Sequence, residues 1–143
     1  MAGDSVGRVA LLAVRPAFAR LILEGRKKVE FRKVRFAQEV SHVLMYATAP
    51  VMRIVGCFKV RGIEEAPPRK LWERYERAGG IGRDAFWRYY ARSRFGVAIR
   101  VGDVIRLGAP VTLRAAGCSR VPPQSFKYVD AAVLHRAMTV ADA

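Results

Sequence analysis

Residues 8–14 (RVALLAV) form an unbroken apolar run of strand length, the pattern of a strand buried on both faces. Pro16 suits the first position of a helix, where its missing N–H costs nothing. Phe18, Leu21 and Ile22 follow at helical spacing, and Gly25 supplies a left-handed cap. From Lys27 to Lys33 the chain alternates: Val29 and Phe31 point one way, Lys28, Glu30 and Arg32 the other. This predicts a half-buried strand with one polar face. Val43 to Ala47 reads as a second buried strand, broken at Thr48-Ala49-Pro50. Arg53 to Ile63 reads as a long strand, with Gly56 and Gly62 marking bulges or bends.

Pro67-Pro68 opens a helix through about Arg77, with Leu71, Trp72 and Tyr75 on one side and Gly79-Gly80 at its end. Asp84 is positioned to cap another helix, roughly Ala85 to Arg92, which carries Phe86, Trp87, Tyr89 and Tyr90. Phe95 to Arg100 and Asp103 to Leu107 are expected as two strands joined by a tight turn at Gly102-Asp103, and Val111 to Leu113 as a short edge strand. Beyond Asp130 the chain reads either as a helix over Ala131 to Met138 or as a fraying end. About six strands and three helices without strict β-α alternation predict an α+β fold on a mostly antiparallel sheet, flat or curled into a barrel.

Composition sharpens this picture. A chain of 143 residues that is 52% apolar can build one domain with a true core. Residues 1–7 and 131–143 are the expected flexible or peripheral tails of that single domain. No apolar run approaches the ~20 residues of a membrane span, and Met-Ala-Gly-Asp-Ser lacks the basic start of a signal peptide; no membrane association and a cytoplasmic location are expected. Cys57 and Cys118 lie far apart, without CxxC spacing or a neighbouring histidine, so two reduced thiols are expected rather than a disulfide or a zinc site. His42 and His135 are isolated. With no Walker loop, GxGxxG, HExxH or GxSxG present, neither a metal nor a cofactor is expected.

Charge changes the picture more. The net charge is +14, with 26 Lys/Arg against 12 Asp/Glu, and 20 of the cations are arginine. Arginine grips phosphate with two parallel hydrogen bonds and stacks on bases, so the bias suits nucleic acid. A compositional leaning toward arginine explains Arg over Lys but not the shortage of acids. The cations crowd between Arg15 and Arg35, where eight Lys/Arg meet two Glu. Such a cluster repels itself, and a bound anion relieves the repulsion. Glu30 and Arg32 share a strand face about 7 Å apart, so their ends can meet. Lys27 has the opposite parity and needs twist or a bulge near Gly25 to join them. Arg15 at the end of the first strand is a candidate phosphate contact, with a helix-edge surface arginine as the alternative. Tyr46 is a candidate base-stacking or hydroxyl-donating group, with a plain core tyrosine as the alternative. Gln124, Ser125, Lys127 and Tyr128 follow a rigid Pro-Pro pair and can present amide and hydroxyl groups to a base edge. On the aromatic helix, Trp87 or Tyr90 can stack a single-stranded base, although aromatics at helical spacing more often serve a core.

Gly25, Lys27, Glu30 and Arg32 match G-x-K-x-x-E-x-R, and on this ground the chain resembles the ASCH domains of the PUA-like superfamily. Val14-Arg15-Pro16 resembles the first strand-to-helix junction of that family, Leu44 to Thr48 its next core strand, and Pro122 to Phe126 a segment near the end of one subgroup. The likeness spans roughly Val9 to Asp130. It implies a PUA-like pseudo-barrel with helices packed on it, and a cleft lined by the Lys27–Glu30–Arg32 group that takes a base or a short single strand.

Three readings follow. In the first, the protein binds RNA or a nucleotide through Arg15, Lys27, Glu30, Arg32, Tyr46, Gln124, Ser125 and Lys127. In the second, it is a hydrolase with Lys27 and Glu30 as catalytic residues. Some ASCH proteins are ribonucleases, and a related group, the N4-acetylcytidine amidohydrolases, uses a Lys, a Thr and a Glu. Here Glu30 stands where that threonine is expected, which favours a metal-independent ribonuclease over the deacetylase. In the third, it is a regulatory or RNA-processing partner, with a homodimer formed through the aromatic helix.

Overall fold

In the computed structural model residues 6–142 are described. Strand β1 (Val9–Val14) leads into α1 (Pro16–Leu23), then β2 (Val29–Arg32), β3 (His42–Ala47), β4 (Arg53–Ala66), α2 (Pro68–Tyr75), α3 (Arg83–Tyr89), β5 (Gly96–Val111), β6 (Phe126–Val129) and α4 (Ala131–Ala141). The strands form one mixed sheet in the order β2-β5-β4-β3-β1-β6. Only β1 and β3 are parallel; the other four pairs are antiparallel. The sheet curls into a half-barrel, and α1 with β2 supplies the long crossover that a parallel pair requires.

Two strand expectations are corrected. Gly102-Asp103 is no turn, because β5 runs unbroken from Gly96 to Val111. A Cβ on Gly102 would lie 2.8 Å from the Lys59 carbonyl oxygen, so glycine serves the close approach of β4 there. Val111 ends β5 rather than opening a separate edge strand, and β6 supplies the sixth strand instead. The register of the β4–β5 pair shifts between Ile54 and Gly56 and again between Val60 and Gly62, so the two β4 glycines sit at irregularities that increase its bend. Helix α3 starts after Gly82, with Asp84 inside its first turn rather than at the cap. Among the described residues there are four helices, the helical alternative for the segment after Asp130 being the one observed. α4 buries Leu134, Ala137 and Ala141, so it is an integral cover of the sheet rather than a peripheral tail.

Three apolar clusters hold these layers together. Inside the curl, Leu12, Val14, Met45, Phe58 and Ile99 pack with Ile22 of α1. On the other face, Leu11, Leu44, Ile54 and Cys57 pack under α4. The third cluster seats α2 and α3 on the β2–β5 edge through Phe31, Leu71, Phe86 and Tyr90. Phe31 and Phe86 meet edge to face at 5.0 Å, a geometry that adds to the roughly 1.5–3 kcal/mol from burying each ring. The Tyr90 hydroxyl donates to the Arg32 carbonyl at 2.8 Å, fixing α3 beside the end of β2. Cys57 is buried, Cys118 is half-buried, and both are free thiols. No described helix is long and apolar enough to cross a membrane.

The edge strands β2 and β6 approach one another but do not pair. Side chains close the gap. Phe36 stacks edge to face on Phe126 at 4.7 Å, and the Gln38 N–H donates to the Tyr128 hydroxyl at 3.1 Å. Arg32 bridges the remaining stretch, and beside it lies a cavity.

Candidate functional site

The local fold begins with the end of α1. Gly25 takes φ +77°, its N–H bonds the Ile22 carbonyl at 3.0 Å, and Arg26 N–H bonds Leu21 at 2.9 Å. This paired closure is a Schellman cap, and the left-handed residue it requires favours glycine. The Lys27 N–H also donates to the Leu21 carbonyl at 3.0 Å. Lys27 is thereby held to the helix end rather than to the strand, which begins at Val29. Pleat alternation does not govern it. Its ammonium turns inward and meets the carboxylate that a strict strand count would put on the other face.

Lys27 and Glu30 are the only charged residues buried among those described, at 1% and 4% exposure. Lys27 Nζ lies 3.5 Å from Glu30 Oε1 and donates to the Gly79 carbonyl. It also sits over the Phe18 and Phe31 rings, 4.7 and 5.5 Å from their centroids. Glu30 Oε2 accepts from Arg32 Nη1 at 3.2 Å. Arg32 continues the network by donating to the Ala13 carbonyl at 2.9 Å and to Ser125 Oγ at 2.8 Å. One guanidinium therefore links β2, β1 and the segment entering β6. Burial pushes the Lys27 pKa below its ordinary value, and Arg32 adds to the fall, while Glu30 opposes both.

A cavity of about 550 Å³ opens over this network. Lys27, Glu30 and Arg32 form its polar floor, and Phe18, Phe31, Ile81 and Tyr89 give it apolar walls. Arg15 and Arg88 stand exposed at its rim. Gln124 and Thr48 add polar groups to the lining, and Ala13 and Ala85 complete it. Apolar walls with a few convergent polar groups are the common make-up of small-molecule sites.

The structure brings together Arg15, Lys27, Glu30, Arg32 and Gln124, with Ser125 joined through Arg32. Tyr46, Lys127 and Tyr128 lie outside the cavity, Tyr128 accepting from the Gln38 N–H instead. Tyr46 is 3% exposed and packs in the cluster beneath α4. Lys127 donates to the Val121 carbonyl at 3.1 Å. Of the aromatic helix, Tyr90 is core and Trp87 packs against Phe86 at 5.3 Å; it is Tyr89 that faces the cavity. Arg88, Tyr89 and Thr48 line the cavity as well, although no motif in the sequence marks them as site residues. Helix phase is the signal that picks Tyr89, since successive residues on a helix turn about 100° apart. Among the described residues no three His, Cys, Asp or Glu side chains cluster to hold a metal.

The curled mixed sheet carries α1 inside its curl and the other described helices against its remaining faces. The ASCH domain family model matches residues 12–105, and the chain belongs to that family. Over 123 residues it is 27% identical to a protein of Zymomonas mobilis subsp. mobilis described as an ASCH domain-containing ribonuclease, covering 84% of this chain and 83% of that one. The crystal structure of ASCH from Zymomonas mobilis has the same fold, with a TM-score of 0.84 at 24% identity over 92% of this chain and 94% of that one. Human THYN1, solved in complex with DNA containing 5-methylcytosine, is a more distant likeness, with a TM-score of 0.57 at 12% identity over 96% of this chain and 99% of that one.

Proposed function

We propose that this protein binds single-stranded RNA or a nucleotide by seating one base in the cavity over Lys27, Glu30 and Arg32. The observation that carries this reading is the buried Lys27–Glu30 pair at the floor of an open cavity. Burying two charges costs several kcal/mol per ion before pairing offsets it, which is hard to account for in a floor that meets only water. A base offers what the floor lacks. Its N–H groups donate to the spare lone pairs of Glu30, its ring faces Phe18, Phe31 or Tyr89, and its phosphate reaches Arg15 and Arg88 at the rim. Fluorescence anisotropy with a labelled RNA oligomer tests this. Affinity is expected to fall with salt, with a log–log slope of about −0.7 per phosphate gripped. Arg15→Ala and Arg88→Ala, both at exposed positions, should each weaken binding about tenfold. Absence of binding to any RNA at low salt sinks the reading.

A second reading, RNA cleavage in the same cavity, is favoured by the lowered Lys27 pKa and by the relative described as a ribonuclease. Glu30 takes the 2′-hydroxyl proton, and the freed oxygen attacks phosphorus. Arg32 steadies the charge on the phosphorane, and the P–O5′ bond breaks as the Lys27 ammonium gives the departing oxygen a proton. This leaves a 2′,3′-cyclic phosphate and a protonated Glu30 that returns its proton to Lys27 through solvent. Incubation with RNA in EDTA separates the two readings. Cleavage by wild type that is lost in a folded Lys27→Met variant supports catalysis; binding without turnover leaves the binding reading alone.

A further inference from the structure

A second hollow lies on the far side of Lys33. It holds about 470 Å³ between the segment after β2 and the middle of β4, with Arg35 and Arg61 lining it from these two segments and Gln38 and Glu39 beside them. Both arginines are exposed, and among the described residues neither has an ion-pair partner. The wall carrying Arg35 is held in place. Phe36 is buried against Phe126 at 4.7 Å, Gln38 N–H is held by the Tyr128 hydroxyl, and Val40 is buried in the core. The groove is therefore already formed before anything enters it. Two residues, Lys33 and Val34, separate it from the first cavity along the chain, so that Arg35 lies three backbone steps from Arg32. That is a reach of at most about 11 Å along the backbone. Lys33 stands in the interval, its ammonium 4.7 Å from the centre of the Tyr89 ring at the cavity wall.

We infer that this groove is the subsite for the adjoining nucleotides of a single strand whose base occupies the first cavity. The chain would leave the cavity past Lys33 and lay a phosphate between Arg35 and Arg61. The inference rests on the nucleotide-binding reading above and adds a direction and a length to it. Two arginines lining one preformed hollow from different segments suit a phosphodiester, which accepts hydrogen bonds on both free oxygens. Lys33 adds a third cation along the same path. Glu39 opposes them from the groove and limits how tightly this subsite holds.

The experiment compares a nucleoside monophosphate with a single-stranded RNA octamer by titration calorimetry. The double variant Arg35→Gln/Arg61→Gln should bind the octamer at least tenfold more weakly and bind the monophosphate unchanged. Its salt slope for the octamer should flatten by about 0.7 for each phosphate no longer neutralised. Glu39→Gln should tighten the octamer a few-fold and leave the monophosphate alone. Octamer affinity unchanged in the double variant overturns the inference, and so does an equal loss for both ligands. A wild-type protein that takes the monophosphate but gains nothing from added nucleotides overturns it while leaving the cavity reading intact. A wild-type protein that binds neither ligand overturns both.

Discussion

Replacing Lys27 by Met removes a charge from the interior and keeps the side chain's bulk. The Lys27 side chain is 1% exposed and that of Glu30 5%, so water can replace either partner only poorly. Removing one member of a buried ion pair costs about 3–5 kcal/mol, since the other charge stays behind unpaired. Here Arg32 still holds the second carboxylate oxygen at 3.2 Å, which places the expected loss near the lower end, about 3 kcal/mol. With a urea dependence of about 2 kcal/mol/M, that moves the unfolding midpoint down by roughly 1.5 M. The informative variant is the double one. Lys27→Met/Glu30→Gln removes the stranded carboxylate along with the ammonium, and it should be more stable than Lys27→Met alone. The thermodynamic cycle with Glu30→Gln gives the coupling between the two sites directly. A Lys27→Met midpoint within about 0.3 M of wild type, equivalent to roughly 0.5 kcal/mol, refutes the reasoning. Strictly additive losses in the double variant refute it as well.

Three further outcomes are expected. Because the folded-state pKa of Lys27 is lowered, the folded protein sheds this proton at a lower pH than the unfolded chain. Its penalty therefore shrinks as pH rises toward the ordinary value of 10.5. The stability of wild type relative to Lys27→Met, followed by urea melts from pH 7 to 10, should increase with pH, and a flat difference counts against the shift. Gly80→Ala should destabilise by about 1–2 kcal/mol, because Gly80 has φ +59° and its added Cβ would lie 2.9 Å from that of Lys27; thermal melting that leaves Tm unmoved contradicts this. Arg32→Lys cannot reach Glu30, Ala13 and Ser125 together, so it should cost about 1–3 kcal/mol and weaken RNA binding in the same titration, and a silent substitution argues against the bridge.

Much of the fold is legible because apolar spacing is a local signal. RVALLAV, the Pro16–Gly25 helix and the 53–63 strand each carry their period within a few residues. β5 is harder to read, since Gly102-Asp103 has the composition of a turn and only the approach of the Lys59 carbonyl shows why a glycine stands there. β6 escapes because four residues after a proline pair carry too short a pattern; its strand character comes from pairing with β1. At the site, Glu30 and Arg32 follow directly from pleat alternation. Lys27 does not, because its position is set by hydrogen bonding to α1 and by Gly79, which lies 52 residues away in sequence. Thr48 and Arg88 are tertiary neighbours that no spacing connects to the motif, and only helix phase picks out Tyr89.

The inward turn of Lys27 also constrains how the sequence can drift. A substitution at either end of the Lys27–Glu30 pair leaves an unbalanced charge that solvent barely reaches. Single steps away from the pair are therefore disfavoured even in a descendant that has abandoned the ligand. Paired replacements, or none, are the accessible routes. The two positions should vary together across relatives, whereas Arg15 and Arg88, standing in water at the rim, are free to change one at a time.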